Sequence, residues 1–415
     1  MEPTIKACYS QGYSISVVCL KGVGKKWGLR PKIIHWIFTA IIRPKISYAS
    51  LVWWTKTVQA TARKKLAKLQ RIATLAITGA MRSTSNEALN ALLNILPLHQ
   101  FIELEAERSA LRLSKHKTLY EGDLTGHLKI LKIFKINSLI VKNDDWMEPV
   151  FNLDIPYNVT INDRDVWESG GPAVPSGSIK FFTDGSKMDK RTGAGVFGPR
   201  LRISIPMGNW PTVFQAEVQA ILECTLACLK RGYRYTSIYI FSDSQAALRA
   251  LSTFTCYSKL VWECIVALRN LAIRNRVFLF WVPGHCGILG NEEADQLARE
   301  GSQGLFIGPE PFCGVSRSAL NMELKNWEST TIVSNWRTAE GAAQAKRFIE
   351  PSARLSKNML KLSKHELSTY TGLLTGHCPS KQHLKRITLF NTMTVGSAGS
   401  KKKLQSIFYA TAAPS

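Results

Sequence analysis

Apolar residues along this chain come in short blocks that end on acids. Ile179-Lys180-Phe181-Phe182-Thr183-Asp184-Gly185-Ser186 is one such block, and Ser237-Ile238-Tyr239-Ile240-Phe241-Ser242-Asp243-Ser244 is a second. Short β-rich runs that stop on Asp before turn residues predict strands that deliver a carboxylate to the rim of a sheet. Between them, residues 192–197 and 201–205 read as two strands of a meander, with Gly198-Pro199 turning between them. Residues 213–231 have helical spacing, follow Pro211 and Thr212, and stop at Gly232. Phe214, Val218, Ile221 and Thr225 share one face of that helix, and Glu217 lies on the same face. Residues 277–282 read as a buried strand, Pro283-Gly284-His285-Cys286-Gly287 as a loop, and Asn291 as the start of a helix carrying Asp295. This order predicts an α/β domain, a mixed five-stranded sheet with flanking helices.

The acids define the candidate chemistry. Adjacent strands would bring Asp184 and Asp243 together, and Glu217 on a core stripe is costly to bury alone. A cation between them relieves both problems, and Mg2+ favours such oxygen ligands while keeping positions open for phosphate and water.

Residues up to about 115 read as helices. Pro31 suits the first turn of a helix running through Thr39. Residues 62–77 place Leu66, Leu69, Ile72 and Leu75 on one side, with Arg63, Lys64, Lys65, Lys68 and Arg71 on the other. That basic face suits either a phosphate backbone or plain solvent. Residues 116–177 read as a connector with an element or two around 128–141, then a linker rich in Asn, Asp, Pro and Gly. Beyond the second unit, residues 319–336 and 363–374 are expected as helices, and 388–415 as a disordered tail.

Charge adds a partner class. Lys and Arg number 54 against 30 Asp and Glu, a net charge of +24. That excess points to a polyanion, nucleic acid or an anionic surface. Nine cysteines without a Cys-x-x-Cys pair are expected as reduced, intracellular thiols, with nucleus and cytoplasm both open. The early apolar run at residues 33–42 is too short to span a bilayer, so no membrane partner is expected. No Gly-x-x-x-x-Gly-Lys loop is present, which argues against ATP hydrolysis. The pair Asp144-Asp145 lacks the aromatic residue two positions earlier that a polymerase hairpin needs, and reads as a polar loop.

Thr183-Asp184-Gly185-Ser186, Ala216-Glu217, Asp243-Ser244-Gln245, Gly284-His285 and Gly290-Asn291-Glu292-Glu293-Ala294-Asp295, in that order, resemble the type 1 ribonuclease H fold. The run from Trp281 to Asp295 is similar to the domain carried by non-LTR retrotransposon polyproteins. Residues 24–29, Arg43-Pro44, Tyr48, residues 51–54 and residues 77–82 resemble the thumb and connection that follow the polymerase palm in those polyproteins, with the palm itself missing.

The resemblance implies divisions at 1–115 (thumb/connection-like), 116–177 (connector and linker), 178–302 (ribonuclease H), 303–387 (helical, with a degenerate zinc-knuckle approach) and 388–415 (tail). It implies cleavage of the RNA strand of RNA–DNA hybrids, with a hybrid or another nucleic-acid duplex as partner. Two Mg2+ ions would serve, with Mn2+ as a substitute. Asp184 would bridge both ions, Glu217 and Asp243 would hold one, and Asp295 the other. His285 would move a proton to or from the leaving group. Gly185, Ser186, Gln215, Ser242 and Gln245 would contact substrate, although the polar ones equally suit caps of strands and helices. Gly376-His377-Cys378-Pro379 followed by His383 is similar to the approach to a zinc knuckle, but no cysteine follows Cys378, so no zinc is expected. The alternative is a catalytically idle retroelement remnant that only binds nucleic acid.

Overall fold

The computed structural model describes residues 28–113, 129–130 and 143–378. Most of the element expected around 128–141, the tail from 388, and Pro379 and His383 of the knuckle-like run lie outside the described residues. The chain divides into two compact units, residues 135–323 and the remainder.

The first of these is a mixed α/β unit. Its strands are β1 (Trp146–Phe151), β2 (Asn158–Thr160), β3 (Ile179–Met188), β4 (Arg191–Gly198), β5 (Leu201–Gly208), β6 (Ser237–Ser242), β7 (Thr255–Ser258) and β8 (Arg276–Trp281). Its helices are α1 (Arg164–Glu168), α2 (Val213–Lys230), α3 (Gln245–Leu251), α4 (Lys259–Ala272) and α5 (Leu289–Gln303). Six strands form one sheet in the order β2-β8-β6-β3-β4-β5. Strands β2, β8, β6 and β3 run parallel, and β4 and β5 are antiparallel.

Six strands stand where five were expected. The sixth, β2, lies in the stretch read as linker and pairs with β8 through Asn158↔Phe278. Three residues among Pro, Asn and Asp carry no strand periodicity; β2 exists because β8 offers an open edge. Strands β1 and β7 form a separate two-stranded ribbon.

Local chemistry explains the helices. Thr212 caps α2 in a reciprocal box: its hydroxyl accepts from the Gln215 N–H at 3.2 Å, and Gln215 Oε1 accepts from the Thr212 N–H at 3.1 Å. The core lies between the sheet and α2 and α4, where Phe181, Val196, Ile240 and Leu279 meet Val218, Ile221, Leu260 and Leu268. The other sheet face carries a stack of aromatics. Tyr239 and Phe278 have ring centroids 4.6 Å apart, Phe182 and Phe241 4.9 Å, and Trp167 of α1 stands edge-on to Phe241. The Trp167 indole N–H donates to the Trp281 carbonyl at 3.1 Å.

Helix α5 lies so close to β4 that no side chain would fit between them. A Cβ on Gly195 would sit 2.2 Å from the Ala294 carbonyl oxygen, and one on Gly193 2.1 Å from the Ser302 nitrogen.

Asp145, in the stretch read as a polar loop, is buried and serves as a cap. Its carboxylate accepts from the Ser258 hydroxyl at 2.7 Å and the Leu260 N–H at 3.0 Å, closing the N-terminus of α4. Burial pushes its carboxyl above the usual range, opposed by those hydrogen bonds.

The other unit is helical. Ala60–Thr78 buries Leu66, Leu69, Ala73 and Ile77 and leaves Lys64, Lys65 and Lys68 exposed. The α-helix begun at Pro31 ends at Ile37, two residues earlier than expected, and continues as a wider turn over Phe38–Ile42. Pro44 has no N–H to give to the preceding turn, and the Arg43 N–H bonds the Phe38 carbonyl five residues back. Lys364–Thr375 starts in a capping box on Ser363 and Glu366 and stops at Gly376 in the left-handed region. No helix among the described residues is long and apolar enough to cross a membrane.

Candidate active site

The site is built where β3 and β6 run side by side. The pair Thr183↔Ser242 puts Asp184, one residue further along β3, next to Asp243, which follows the last residue of β6. The Thr183 hydroxyl donates to the Phe241 carbonyl at 3.1 Å, fixing the two strands where the acids emerge. The Trp281 indole donates to the Asp243 carbonyl at 2.9 Å from the far side.

Glu217 arrives on the first turns of α2. A Cβ at position 185 would lie 2.6 Å from the Glu217 nitrogen and 2.9 Å from the Ala216 carbonyl carbon. Only glycine after Asp184 lets the helix backbone come that near. One carboxylate oxygen from each of Asp184, Glu217 and Asp243 lies within 4.8 Å of the other two. Asp295, on α5, is outside that close triad but near enough for its charge to act on Asp184. It also makes an ion pair of 2.5 Å with Arg299.

Crowded acids hold their protons. Burial pushes the Asp184 carboxyl up to about 8, with Asp243 and Asp295 adding to the rise. Glu217 is raised well above the usual carboxylate range by burial and then by Asp184 and Asp243. Asp243 moves the same way through burial, opposed by the nearby His285. Glu217 Oε2 is buried with no hydrogen-bond partner. An all-oxygen donor set with an orphaned buried oxygen fits a hard divalent cation, and no other cluster of three metal-ligating side chains occurs among the described residues.

His285 sits in the left-handed region, at φ 54°, in an exposed loop. Gly284 lets that loop lie against the site, since a Cβ there would fall 2.7 Å from Asp243 Oδ2.

The neighbours divide into two groups. Gln215 is fully buried, and its amide is committed to the Thr212 cap and to the Gly314 carbonyl, 2.7 Å from Nε2. Ser242 is equally buried, and its hydroxyl accepts from the Ser244 N–H. Ser186 and Gln245 are half-buried, and Gln245 Oε1 accepts from Arg249. Sequence reasoning took Trp281 as core, which it is, but missed its grip on Asp243. It also missed Gly284 as a spacer; a glycine before a loop histidine was the available signal.

Comparison with known proteins covers the same stretch. Residues 176–303 match the RNase H family model. Ribonuclease H1 of Homo sapiens is 28% identical over 145 residues, covering 30% of this chain and 50% of that protein. The Rattus norvegicus and Mus musculus ribonucleases H1 are each 26% identical over 146 residues, with the same shares. The chain therefore spans about half the length of the curated relatives it matches. The acid cluster and five of the six strands of the mixed sheet fall within the match, and residues 176–303 form an RNase H domain.

Proposed function

We propose that the chain cleaves the RNA strand of RNA–DNA hybrids in a reaction that depends on Mg2+. The observation that carries this reading is the approach of Asp184, Glu217 and Asp243 to within 4.8 Å of one another, in a region that matches the RNase H family.

Asp184, Glu217 and Asp243 would hold the cation, and Asp295, whose charge acts on Asp184, would complete a set for two ions. Ions bound there lower the pKa of water and offset charge on the departing 3′ oxygen. The protein's own groups do the rest. Asp184 stands at the centre: the charges of Asp243 and Asp295 raise its carboxyl, and it raises that of Glu217 in turn. His285, on its exposed loop beside Asp243, exchanges a proton with the leaving oxygen. Of the neighbouring residues, Ser186 and Gln245 are the polar ones left to contact the sugar-phosphate chain, and the 2′-hydroxyl distinguishes RNA from DNA.

The wording of residues 281–295 and of the first helices supports a place in a non-LTR retrotransposon polyprotein, with the basic face of Ala60–Thr78 helping to hold a duplex. The test is digestion of an end-labelled hybrid with Mg2+. Cutting of the RNA strand, leaving 3′-hydroxyl and 5′-phosphate ends and sparing matched DNA duplex, is expected. Binding without cutting, or cutting unaffected by EDTA, overturns the proposal.

A further inference from the structure

The RNase H unit has a second charged end, opposite its acids. Three connections meet where β3, β6 and β8 begin: the turn 199–200 between β4 and β5, the loop 231–236 after α2, and the loop 273–275 after α4. They are stitched together. The Tyr235 N–H donates to the Arg274 carbonyl at 2.7 Å, and the Arg276 N–H to the Thr236 carbonyl at 3.0 Å. Asn275 Nδ2 donates to the Tyr233 carbonyl at 2.9 Å, and Arg231 donates to the Pro199 and Arg200 carbonyls. At about 3.3 Å per strand residue, this end lies about 17–20 Å from Asp184 and Asp243.

It carries Arg200, Lys230, Arg231, Arg234, Arg274 and Arg276, all exposed, and its three connections contain no acid. Of these cations, none makes an ion pair among the described residues. Cations at the ends of α2 and α4 also suit the helix dipoles, which accounts for Lys230 and Arg231. Arg200, Arg234 and Arg276 lie outside any helix, so the dipole does not explain them. Among them stands Tyr235, 95% exposed and held at φ 58°, a conformation that is strained for a bulky side chain. Ile273 beside it is 75% exposed.

An exposed aromatic ring on connections that also carry exposed arginines is the combination that binds single strands: phosphates pair with the cations while an unpaired base stacks on the ring. In a duplex the base faces are already covered by stacking. We propose that this end of the sheet is a second nucleic-acid site that takes a single-stranded segment, with phosphates on Arg234, Arg274 and Arg276 and a base on Tyr235. The site is independent of cleavage, because it lies away from the acids and uses none of them.

The test is binding of short labelled oligothymidylate and oligouridylate to the full chain, in EDTA, across a salt series. Arg234→Glu/Arg274→Glu/Arg276→Glu should weaken binding at least about tenfold and reduce the salt slope by about 2, at roughly 0.7 for each phosphate no longer neutralised. Tyr235→Ala should weaken it about fivefold or more at an unchanged slope, since stacking contributes roughly 1–3 kcal/mol per base. Lys325→Glu/Lys357→Glu/Lys361→Glu makes the same charge change on other exposed lysines and should cost far less. Circular dichroism and melting check that each variant folds. Two outcomes overturn the proposal: equal losses in the two triple variants, or no effect of Tyr235→Ala.

Discussion

Asp184→Asn tests whether the three acids share one site. Two unit charges 4.8 Å apart repel by about 3.5 kcal/mol at an effective dielectric constant of about 20. The carboxylate oxygens of Asp184, Glu217 and Asp243 all lie within that separation. In the cation-free protein, Asp184 reduces the repulsion by keeping its proton up to a pH of about 8. Its folded pKa is raised above the unfolded value, so this contribution to stability is full below about pH 3.9 and is lost as pH rises through the folded pKa. Asparagine cannot ionise and removes that loss. In EDTA the variant should exceed the parent by about 2–4 kcal/mol near pH 9, an order-of-magnitude expectation from the pair repulsion, with the advantage shrinking towards pH 5. Adding Mg2+ should raise the melting temperature of the parent, and much less that of the variant. Hybrid cleavage should be lost while hybrid binding remains. A variant less stable than the parent in EDTA at every pH, and equally stabilised by Mg2+, would refute the shared site.

Gly185→Ala puts a methyl group against the backbone of Ala216 and Glu217, which cannot swing aside. It should cost about 1–3 kcal/mol of unfolding free energy and lower cleavage by displacing Glu217 from Asp184; melting and hybrid digestion would show it, and a neutral result would mean that the helix yields freely. His285→Ala should slow turnover without stopping it and leave Mg2+ stabilisation unchanged, as read by single-turnover digestion against melting; loss of the Mg2+ effect would place His285 among the ligands instead. In the helical unit, Glu107 is buried with neither carboxylate oxygen hydrogen-bonded, and burial pushes it up to about 8. Its neutral form is favoured in the fold, so stability falls as pH rises from about 4.3 to 8, by about 5 kcal/mol at the upper limit. Glu107→Gln should flatten that slope in urea titrations at a series of pH values, and an unaltered slope would show that water reaches the carboxylate.

The meeting of Asp184 and Asp243 was legible because each closes an apolar block, and neighbouring parallel strands carry such endings to one rim. Glu217 was legible as a carboxylate on a core stripe. The contribution of residues 143–175 was not, because it depends on partners far along the chain. Asp145 is a cap only because Leu260 folds back to it, and the Tyr157 hydroxyl has its acceptor in the Leu251 carbonyl, 94 residues away. Such pairings leave no periodicity in the sequence. Gln215 and Ser242 were ambiguous for a different reason. A polar side chain beside an acid reads alike whether it faces substrate or a backbone group, and only the fold shows their polar atoms already engaged.

The strand, indole and cap donated by residues 143–175 bear on where the chain can be cut. A fragment started at residue 176, the edge of the family match, would strip Trp167 and Val174 from the aromatic face of Tyr239, Phe241, Phe278 and Phe280. It would also bare the β8 edge and uncap the helix that Asp145 closes. Such a fragment should precipitate or self-associate during purification, whereas one begun ahead of Asn143 keeps its own cover.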